Sequence, residues 1–320
     1  MRFDTAGTRE RYVFVTFAFT SDGGGRWNTS SCKTALTFMY SSLVRSQKDY
    51  PELHLYSNDP GVVPQLTTMQ TAPRIVLHEI QARSLPRNEY SETDEWRALS
   101  LAKLDAVEQV MKNYKVRAIW VDLDTLIFID LKSSLRRASS WVIGYQSGSC
   151  GGLYKNCSYE HVARGGFHGG DIEPALDTYG DLWSLSLETI DTIRQYRKQY
   201  LKNGSTLPLY DLQGYMTFML MDGVLDVTFL HDIVPYNFGF FCSNFEFPNA
   251  KNLEIAVLDD HLVCPMREFV PMSTRVGAIS FTAITFQQLV LDTSSRFQFI
   301  PDESARKWLS DWFYSDYTEH

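Results

Sequence analysis

Two aspartates, Asp122 and Asp124, have the residue type and spacing to bind a metal ion. Apolar residues 118–121 precede them and apolar residues 126–128 follow. A continuous apolar run of this kind is typical of a strand buried on both faces, as in a parallel sheet. Ionised carboxylates are costly at the end of such a strand unless a partner compensates them. A divalent cation that also binds phosphate is the usual partner, and hard oxygen ligands suit Mg²⁺ or Mn²⁺. On an extended backbone this spacing puts both side chains on one side, so we predict that both reach one cation.

Strands and helices alternate before and around these acids. The patterns predict strands over residues 12–19, 52–57, 74–80, 116–124 and 141–145, and helices over residues 31–48 and 94–114. Alternation at this spacing indicates βαβ units and a largely parallel sheet, whose strand ends bind ligands. For the second half we predict a loop over 148–170, helices over 182–201, 211–220 and 308–314, a strand over 224–230, and irregular structure after residue 230.

Composition narrows the class of function. The chain has 320 residues, 44% of them hydrophobic, and a formal net charge of −8. An acidic chain argues against a nucleic-acid partner, whose phosphates need a basic face. It does not oppose a small phosphate-bearing ligand, because a metal supplies positive charge locally. We find no apolar run of about 18 residues, so no integral membrane segment is expected. The five cysteines form no Cys-x-x-Cys motif. We therefore expect a cytoplasmic protein, unless an N-terminal anchor has been removed.

A family resemblance adds to this interpretation. Residues 101–106, a helical segment that carries Lys103, followed by the strand and acids of residues 118–124, resemble the metal-dependent glycosyltransferases of the A-type fold. The resemblance covers residues 12–170 and is specific over residues 97–130. It implies a single Rossmann-like α/β domain over residues 1–320, with a central, mostly parallel sheet flanked by helices. Residues 12–130 would form its nucleotide-sugar-binding half and residues 131–320 its acceptor-side half.

The resemblance also implies residue roles. Asp124 would bind Mn²⁺ or Mg²⁺ shared with the diphosphate of a nucleotide sugar, and Asp122 would bind the metal or hold the ribose. Thr16 and Phe17 would lie near the nucleotide base, and Lys103 would anchor the phosphates. Uridine is the nucleotide expected on family frequency. The acceptor would be a glycan or another hydroxyl compound. The sequence leaves open the donor sugar, the acceptor, and retention or inversion of the anomeric centre.

Two later segments supply further candidates. In residues 165–171, Gly169 and Gly170 would let the backbone approach a ligand closely, with His168 and Asp171 facing it. Family members often line the donor sugar and acceptor with such a segment, although an ordinary surface loop is the alternative. Asp211 opens a predicted helix, where Asp is a favoured cap. Its functional interpretation is a general base that takes the acceptor's hydroxyl proton.

A histidine is the expected third metal ligand. Enzymes of the A-type fold often add one late in the chain, and His261 is our first choice, with His231 second. For each, the alternative is a histidine with a purely structural role.

Two other functions are alternatives to a glycosyltransferase. A haloacid-dehalogenase-like phosphatase also ends an apolar strand in Asp-x-Asp, and Asp259 and Asp260 imitate its last acidic pair. However, that motif wants Thr or Val where Leu126 stands, usually lies in the first strand, and needs a later lysine in a context that this chain does not show. The other alternative is a non-catalytic module that binds a nucleotide or sugar.

Overall fold

The computed structural model covers most of the predicted elements. It describes residues 11–20, 28–47, 51–63, 74–80, 94–132, 138–147, 175–202, 223–229, 234–238, 256–264, 274–281 and 302–314, and single residues 212, 215, 216, 219 and 297. No helix in these ranges combines the length and apolar character needed to cross a membrane.

The α-helices and strands that can be bounded within the described residues are four helices and twelve strands. The helices are α1 (Thr29–Ser46), α2 (Asp94–Tyr114), α3 (Leu187–Lys202) and α4 (Glu303–Tyr314). The strands are β1 (Tyr12–Ala18), β2 (Glu52–Ser57), β3 (Arg74–Glu79), β4 (Arg117–Val121), β5 (Thr125–Ile127), β6 (Trp141–Ser147), β7 (Ala175–Ser184), β8 (Thr228–Phe229), β9 (Val234–Phe238), β10 (Ala256–Leu258), β11 (His261–Cys264) and β12 (Thr274–Phe281).

The central sheet has seven strands in the order β3-β2-β1-β4-β7-β6-β8. Its first four strands are mutually parallel, whereas β7 runs antiparallel to both β4 and β6, and β8 is parallel to β6. The mostly parallel α/β architecture predicted from sequence is therefore confirmed. The carboxyl ends of β1, β2 and β4 meet at one edge, which is where ligands bind in sheets of this kind.

Helices cover both faces of this sheet, which explains why the central strands β1 and β4 are mainly apolar on both sides. Leu36, Met39 and Leu43 of α1 pack on one face, in a cluster that contains Phe14 and Ile119. The opposite face lies under α2 and α3. Its cluster contains Val13, Val15, Leu104, Val107, Trp120, Trp183 and Ile190. Successive residues of β1 and β4 thus enter different cores, as the alternation of side chains along a strand requires.

A smaller sheet follows β4 directly. Its strands are ordered β10-β11-β12-β5, and β9 pairs in parallel with β12. Its apolar face includes Leu126, Phe128 and Ile279, which form a third cluster with Leu309 and Phe313 of α4. Because β5 begins at Thr125, the small sheet starts immediately after the two aspartates.

In the first half, the predicted boundaries agree closely with the structure. The predicted helix 94–114 and strand 52–57 match α2 and β2, and α1 lies within two residues of its prediction. The strand predicted over 116–124 is wrong at its end, because β4 stops at Val121. Residues 122–124 instead form a turn that leads into β5.

The second half departs further from expectation. The helix predicted over 182–201 begins only at Leu187, because residues 182–184 belong to β7. Leu182 enters the core under α1 and Trp183 enters the core under α2, so the apolar run is a strand buried on both faces. The predicted strand 224–230 is reduced to β8. The chain after residue 230, predicted to be irregular, contributes β9 to β12.

The last helix and one short segment complete the comparison. The helix predicted over 308–314 begins earlier, at Glu303, because the Asp302 side chain accepts the Ala305 N–H at 2.7 Å and caps it. In the segment predicted as helix 211–220, the described residues 212, 215, 216 and 219 are helical and buried. The predicted loop 148–170 lies outside the described residues.

Candidate metal centre

The turn after β4 brings the two predicted acids together. The Thr125 N–H donates to the Asp122 carbonyl oxygen at 3.0 Å, which closes the turn. The two carboxyl groups therefore converge because the chain turns, and the extended backbone expected from sequence is not the reason.

A third acid, Asp181, lies opposite the first. Strand β7 pairs antiparallel with β4, with Trp183 opposite Trp120 and Leu182 opposite Val121. The pairing continues one step further, since the Asp122 N–H donates to the Asp181 carbonyl oxygen at 2.8 Å. One carboxylate oxygen each from Asp122, Asp124 and Asp181 lies within 4.8 Å of the others. Among the described residues this is the one such group of three or more potential metal ligands.

Asp122 is held by donors from α2 and β4. The Lys103 ammonium lies 2.7 Å from one of its carboxylate oxygens and 2.8 Å from the other. The Trp120 indole N–H donates to the first of these oxygens. The ammonium also lies over the Trp120 ring, 5.2 Å from its centroid. Lys103 and Asp122 are largely shielded from solvent, so this is a strong, charge-assisted contact.

Asp181 is held from the small sheet. The Ser280 hydroxyl donates to its Oδ2 at 2.6 Å, and Ser280 is almost fully buried. Ser280 stands opposite Thr125 in the β12–β5 pair. The Thr125 hydroxyl is also fully buried, and no hydrogen-bond partner for it exists in the described part of the chain. The group therefore lies where the two sheets meet.

Burial and mutual repulsion raise the pKa of two of the acids. Burial is the main cause of the raised pKa of Asp124, which stands well above its ordinary value, and the charges of Asp181 and Asp122 add to it. Burial also raises the pKa of Asp181 to about 7, with the charge of Asp122 as the next cause. A nearby cation would reverse the charge repulsion and favour the ionised forms.

The donor set fits a hard divalent cation. Three carboxylates face one ammonium, so negative charge remains uncompensated at a partly buried position. Oxygen ligands of this kind suit Mg²⁺ and Mn²⁺ better than they suit softer metals.

Two predicted base-binding residues lie on the strand beside the centre. The Phe17 ring packs edge-on against Trp120, with 4.8 Å between ring centroids, and so touches the tryptophan that bonds Asp122. Thr16 is fully buried, and its hydroxyl lacks a hydrogen-bond partner within the described ranges. Strand β1 is the direct neighbour of β4, the strand that leads to the acids, since Val15 pairs with Trp120.

His261 is not brought into the acidic group. It follows a tight turn at Asp259 and Asp260, whose φ angles are +49° and +62°, and its side chain is exposed. The Trp308 indole N–H donates to the Asp260 carbonyl oxygen at 3.2 Å, which ties this turn to α4. The third carboxylate of the acidic group comes from Asp181 of β7.

The remaining candidates lie outside the described residues. They are the predicted donor and acceptor contacts His168, Gly169, Gly170 and Asp171, the predicted base Asp211, and the second histidine, His231. Their roles stay predictions.

Sequence reasoning missed Asp181 and Ser280. Asp181 precedes Leu182 and Trp183, and both of these apolar residues were included in the helix predicted over 182–201. The available signal was that Asp181 directly precedes the apolar residues Leu182 and Trp183. In residues 118–124 the order is the opposite, with the acids after the apolar run. Ser280 carries no local signal.

Comparison with known proteins bears on the fold. No protein-family model matches the chain, and no curated protein matches its sequence. Among solved structures, the fold is similar to that of mouse xyloside xylosyltransferase 1 in its apo form. The TM-score is 0.54 at 11% sequence identity, over 85% of this chain and 98% of that one. At this identity the likeness is one of fold, and the neighbour is a glycosyltransferase. The α/β fold predicted from the sequence is thus confirmed.

Proposed function

We propose that this protein is a metal-dependent glycosyltransferase that moves a sugar from a nucleotide-diphosphate sugar to a hydroxyl acceptor. The observation that carries the proposal is the group formed by Asp122, Asp124 and Asp181 at the end of β4. In an A-type fold this is the sheet edge at which a nucleotide ligand binds. The solved structure with a similar fold is a xylosyltransferase, and this similarity supports a sugar donor as the ligand.

The residues divide into a donor side and an acceptor side. We assign residues 12–130 to the nucleotide sugar, with Thr16 and Phe17 near the base and Lys103 near the phosphates. Residues 131–320 would complete the acceptor side and would also contribute Asp181 to the metal centre. In this assignment Asp181, and not His261, is the third metal ligand.

The proposed chemistry is leaving-group stabilisation. A divalent metal at the acidic group would neutralise the charge that builds on the departing diphosphate. Lys103 and Trp120 hold Asp122 in place, and Ser280 holds Asp181, so the carboxylates are oriented before a ligand arrives. Asp211 remains the proposed base for the acceptor hydroxyl, with Asp171, Gly169 and Gly170 beside the donor sugar.

A nucleotide-sugar screen tests the proposal. The purified chain is incubated with uridine- and guanosine-linked sugars, UDP-xylose included, with and without Mn²⁺, and free nucleoside diphosphate is measured. We expect metal-dependent hydrolysis of at least one donor. Asp124→Ala should lower this rate by about 100-fold or more, because metal stabilisation of the leaving group is worth several kcal/mol.

The control for this variant is Asp226→Ala, which removes an exposed acid just before β8 that is not part of the acidic group. It should hydrolyse the donor at the wild-type rate. Unchanged metal-dependent turnover in Asp124→Ala would refute the site. Release of phosphate from a simple phosphomonoester, with no donor hydrolysis, would instead support the phosphatase. Nucleotide binding without any turnover would support the non-catalytic module.

A further inference from the structure

The charges of helix α3 are separated along its length. Its two acids lie in the first two turns, and every charged residue from Arg194 onward is a cation. Three of these cations, Arg197, Lys198 and Lys202, are exposed and define a basic end in a chain of net charge −8. We propose that the basic end of α3 binds an acceptor glycan that carries carboxylate or sulfate groups. This inference rests on the proposed function and names the chemical class of the acceptor.

The cations of the basic end have no acidic partner within the described ranges. Their neighbour Arg194 does, because its guanidinium lies 2.5 Å from Asp105 and 2.6 Å from Glu108 on α2. Lys198 and Lys202 are one helical turn apart, as are Arg194 and Lys198, and like charges at this spacing destabilise a helix. An anionic ligand would relieve this repulsion, so the basic end has positive charge available for one.

The helix dipole accounts for only part of this charge. Cations in the last turn of a helix are stabilised by its free carbonyl groups, and the effect fades within that turn. Lys202 is in the last turn of α3, but Arg197 and Lys198 lie before it. Helix α2 has one cation in its last turn, and α4 has none. Helix stability alone therefore does not require three cations at this end.

Helix α3 runs toward the sheet edge that carries the acidic group. Strand β7 leaves this edge at Asp181, whose carbonyl oxygen accepts from the Asp122 N–H. The Ser184 hydroxyl then donates to the Ala118 carbonyl oxygen at 2.9 Å, near the start of β4, so β7 ends at the opposite edge. Helix α3 begins there, at Leu187, and packs back across the sheet. Its basic end therefore points toward the acids.

Contacts with α2 set the level of the basic end. Helix α2 leads into β4, so it runs away from the acidic edge and is antiparallel to α3. Arg194 lies against Asp105, and Lys103, two residues nearer the edge, reaches Asp122. The basic end begins three residues after Arg194, or about 4.5 Å nearer the edge at a rise of about 1.5 Å per residue. It therefore stands beside the metal centre, on the face of the sheet that α2 covers.

The polar residues of the basic end favour a glycan over other anions. Gln195 and Gln199 are exposed one turn apart on the same stretch, and their amides can donate to and accept from hydroxyl groups. The large apolar residues that are exposed in the described chain, Tyr114 and Val224, lie elsewhere. A helix that lies on a membrane needs such residues beside its cations, and a nucleic acid needs a more extensive basic face. A hydroxyl-bearing chain with carboxylate or sulfate groups matches both the amides and the cations.

Oligosaccharide binding tests the proposal, on the full chain without donor or metal. Isothermal titration calorimetry compares a chondroitin sulfate hexasaccharide with its desulfated, carboxyl-reduced counterpart, which has the same length and linkages but no charge. We expect the charged form to bind at least about tenfold more tightly, since it alone can form ion pairs with the three cations. Its affinity should fall as salt is raised. Equal binding of both forms, or no binding of the charged form, would overturn the proposal.

The variant that tests the surface combines Arg197→Gln, Lys198→Gln and Lys202→Gln. It should weaken binding of the charged hexasaccharide by at least about tenfold, because three exposed ion pairs with the ligand are lost. A matched control lowers the net charge equally at exposed lysines outside α3, by combining Lys112→Gln, Lys115→Gln and Lys307→Gln. Its affinity should stay within about twofold of wild type, because distant surface charges are largely screened. An equal loss of affinity in the two variants would rule out a defined site on α3.

A membrane surface is the competing partner for a basic helix end. Sedimentation with phosphatidylserine vesicles detects it. Vesicle binding that the triple α3 variant loses, in a chain that does not bind the hexasaccharide, would contradict the proposal and show a lipid surface instead.

A rate measurement tests whether the bound glycan lies at the reaction. Donor hydrolysis is measured with Mn²⁺ and saturating charged hexasaccharide. Release of nucleoside diphosphate should rise if the hexasaccharide accepts the sugar, or fall if it excludes water, and an unchanged rate would exclude the acceptor role. Absence of donor hydrolysis in the wild-type chain would overturn the proposed function, whereas the calorimetry decides the glycan surface independently.

Discussion

The Lys103 ammonium bonds both carboxylate oxygens of Asp122, at 2.7 and 2.8 Å, and so joins helix α2 to the turn after β4. The contact fixes the first acid of the pair relative to the helix that packs on β4. It also gives Lys103 a partner within the protein, in addition to the phosphates that the family resemblance implies for it. Stability measurements on the metal-free protein should detect this pair.

Lys103→Met should lower the free energy of unfolding by about 1.5–3 kcal/mol in metal-free buffer, since it removes hydrogen bonds to a charged, largely buried group. Lys112→Met is the matched control on the same helix. Lys112 pairs with Glu108 at the surface, and Glu108 keeps Arg194 as a second partner at 2.6 Å. Its loss should cost less than about 1 kcal/mol. Urea unfolding measures both, and equal costs would contradict the importance of the Lys103–Asp122 pair.

Trp120→Phe isolates the hydrogen bond from the indole to Asp122. Trp120 and Trp141 are both almost fully buried, but the Trp141 indole N–H has no partner among the described residues. Replacement by Phe removes similar apolar volume at each position. We expect Trp120→Phe to be the more destabilising by at least about 1.5 kcal/mol, because only that variant removes a hydrogen bond to a charged carboxylate. Chemical denaturation of the two variants gives the difference, and the reverse order would rule out this role for Trp120.

A histidine pair on β2 and β3 should make stability depend on pH. The ring nitrogens of His54 and His78 lie 2.9 Å apart, and such a bond needs one bare nitrogen. Glu52 lies 3.2 Å from the other ring nitrogen of His54 and is itself paired with Arg11, while Tyr114 packs against the His54 ring. Burial nevertheless lowers the pKa of His54, and it lowers the pKa of His78 with a smaller contribution from His54.

The sign of the effect follows from the lowered pKa values. The unfolded histidines take up protons near their ordinary pKa of 6.5, at which the folded pair still resists protonation. The free energy of unfolding should therefore be fully retained above pH 6.5 and fall as the pH drops through the lowered pKa values of the folded pair. His78→Gln can still bond His54 but cannot titrate, so its stability should fall less steeply with acid.

The control for the histidine pair is His261→Gln, which removes an exposed histidine at a hairpin turn. Its stability should follow the wild-type pH dependence. Urea unfolding between about pH 5 and pH 7.5 covers the range over which the unfolded histidines titrate. Identical profiles for wild type and His78→Gln would show that the buried pair does not control the acid sensitivity.

Local sequence determined much of the first half of the fold. The apolar runs of β1 and β4 are long enough to require burial on both faces, and the apolar stripe of α2 marks a helix that covers one of these faces. These signals span only a few residues, so they can be detected without knowing which segments meet. They also placed Asp122 and Asp124 at the carboxyl end of a central strand, together with a lysine-bearing helix.

Only the tertiary structure decided which other residues join them. Asp181 meets Asp122 through the register of β7 on β4, and Ser280 reaches Asp181 because β12 pairs with β5. Strand pairing between distant segments depends on the packing of whole sheets, and a shift of one residue would turn Asp181 to the opposite face. The same non-local pairing turned the expected helix at Leu182 into a strand. The sequence alone therefore indicated a metal-binding pair, while the sheet register determined the three-acid group and the hydroxyl that orients it.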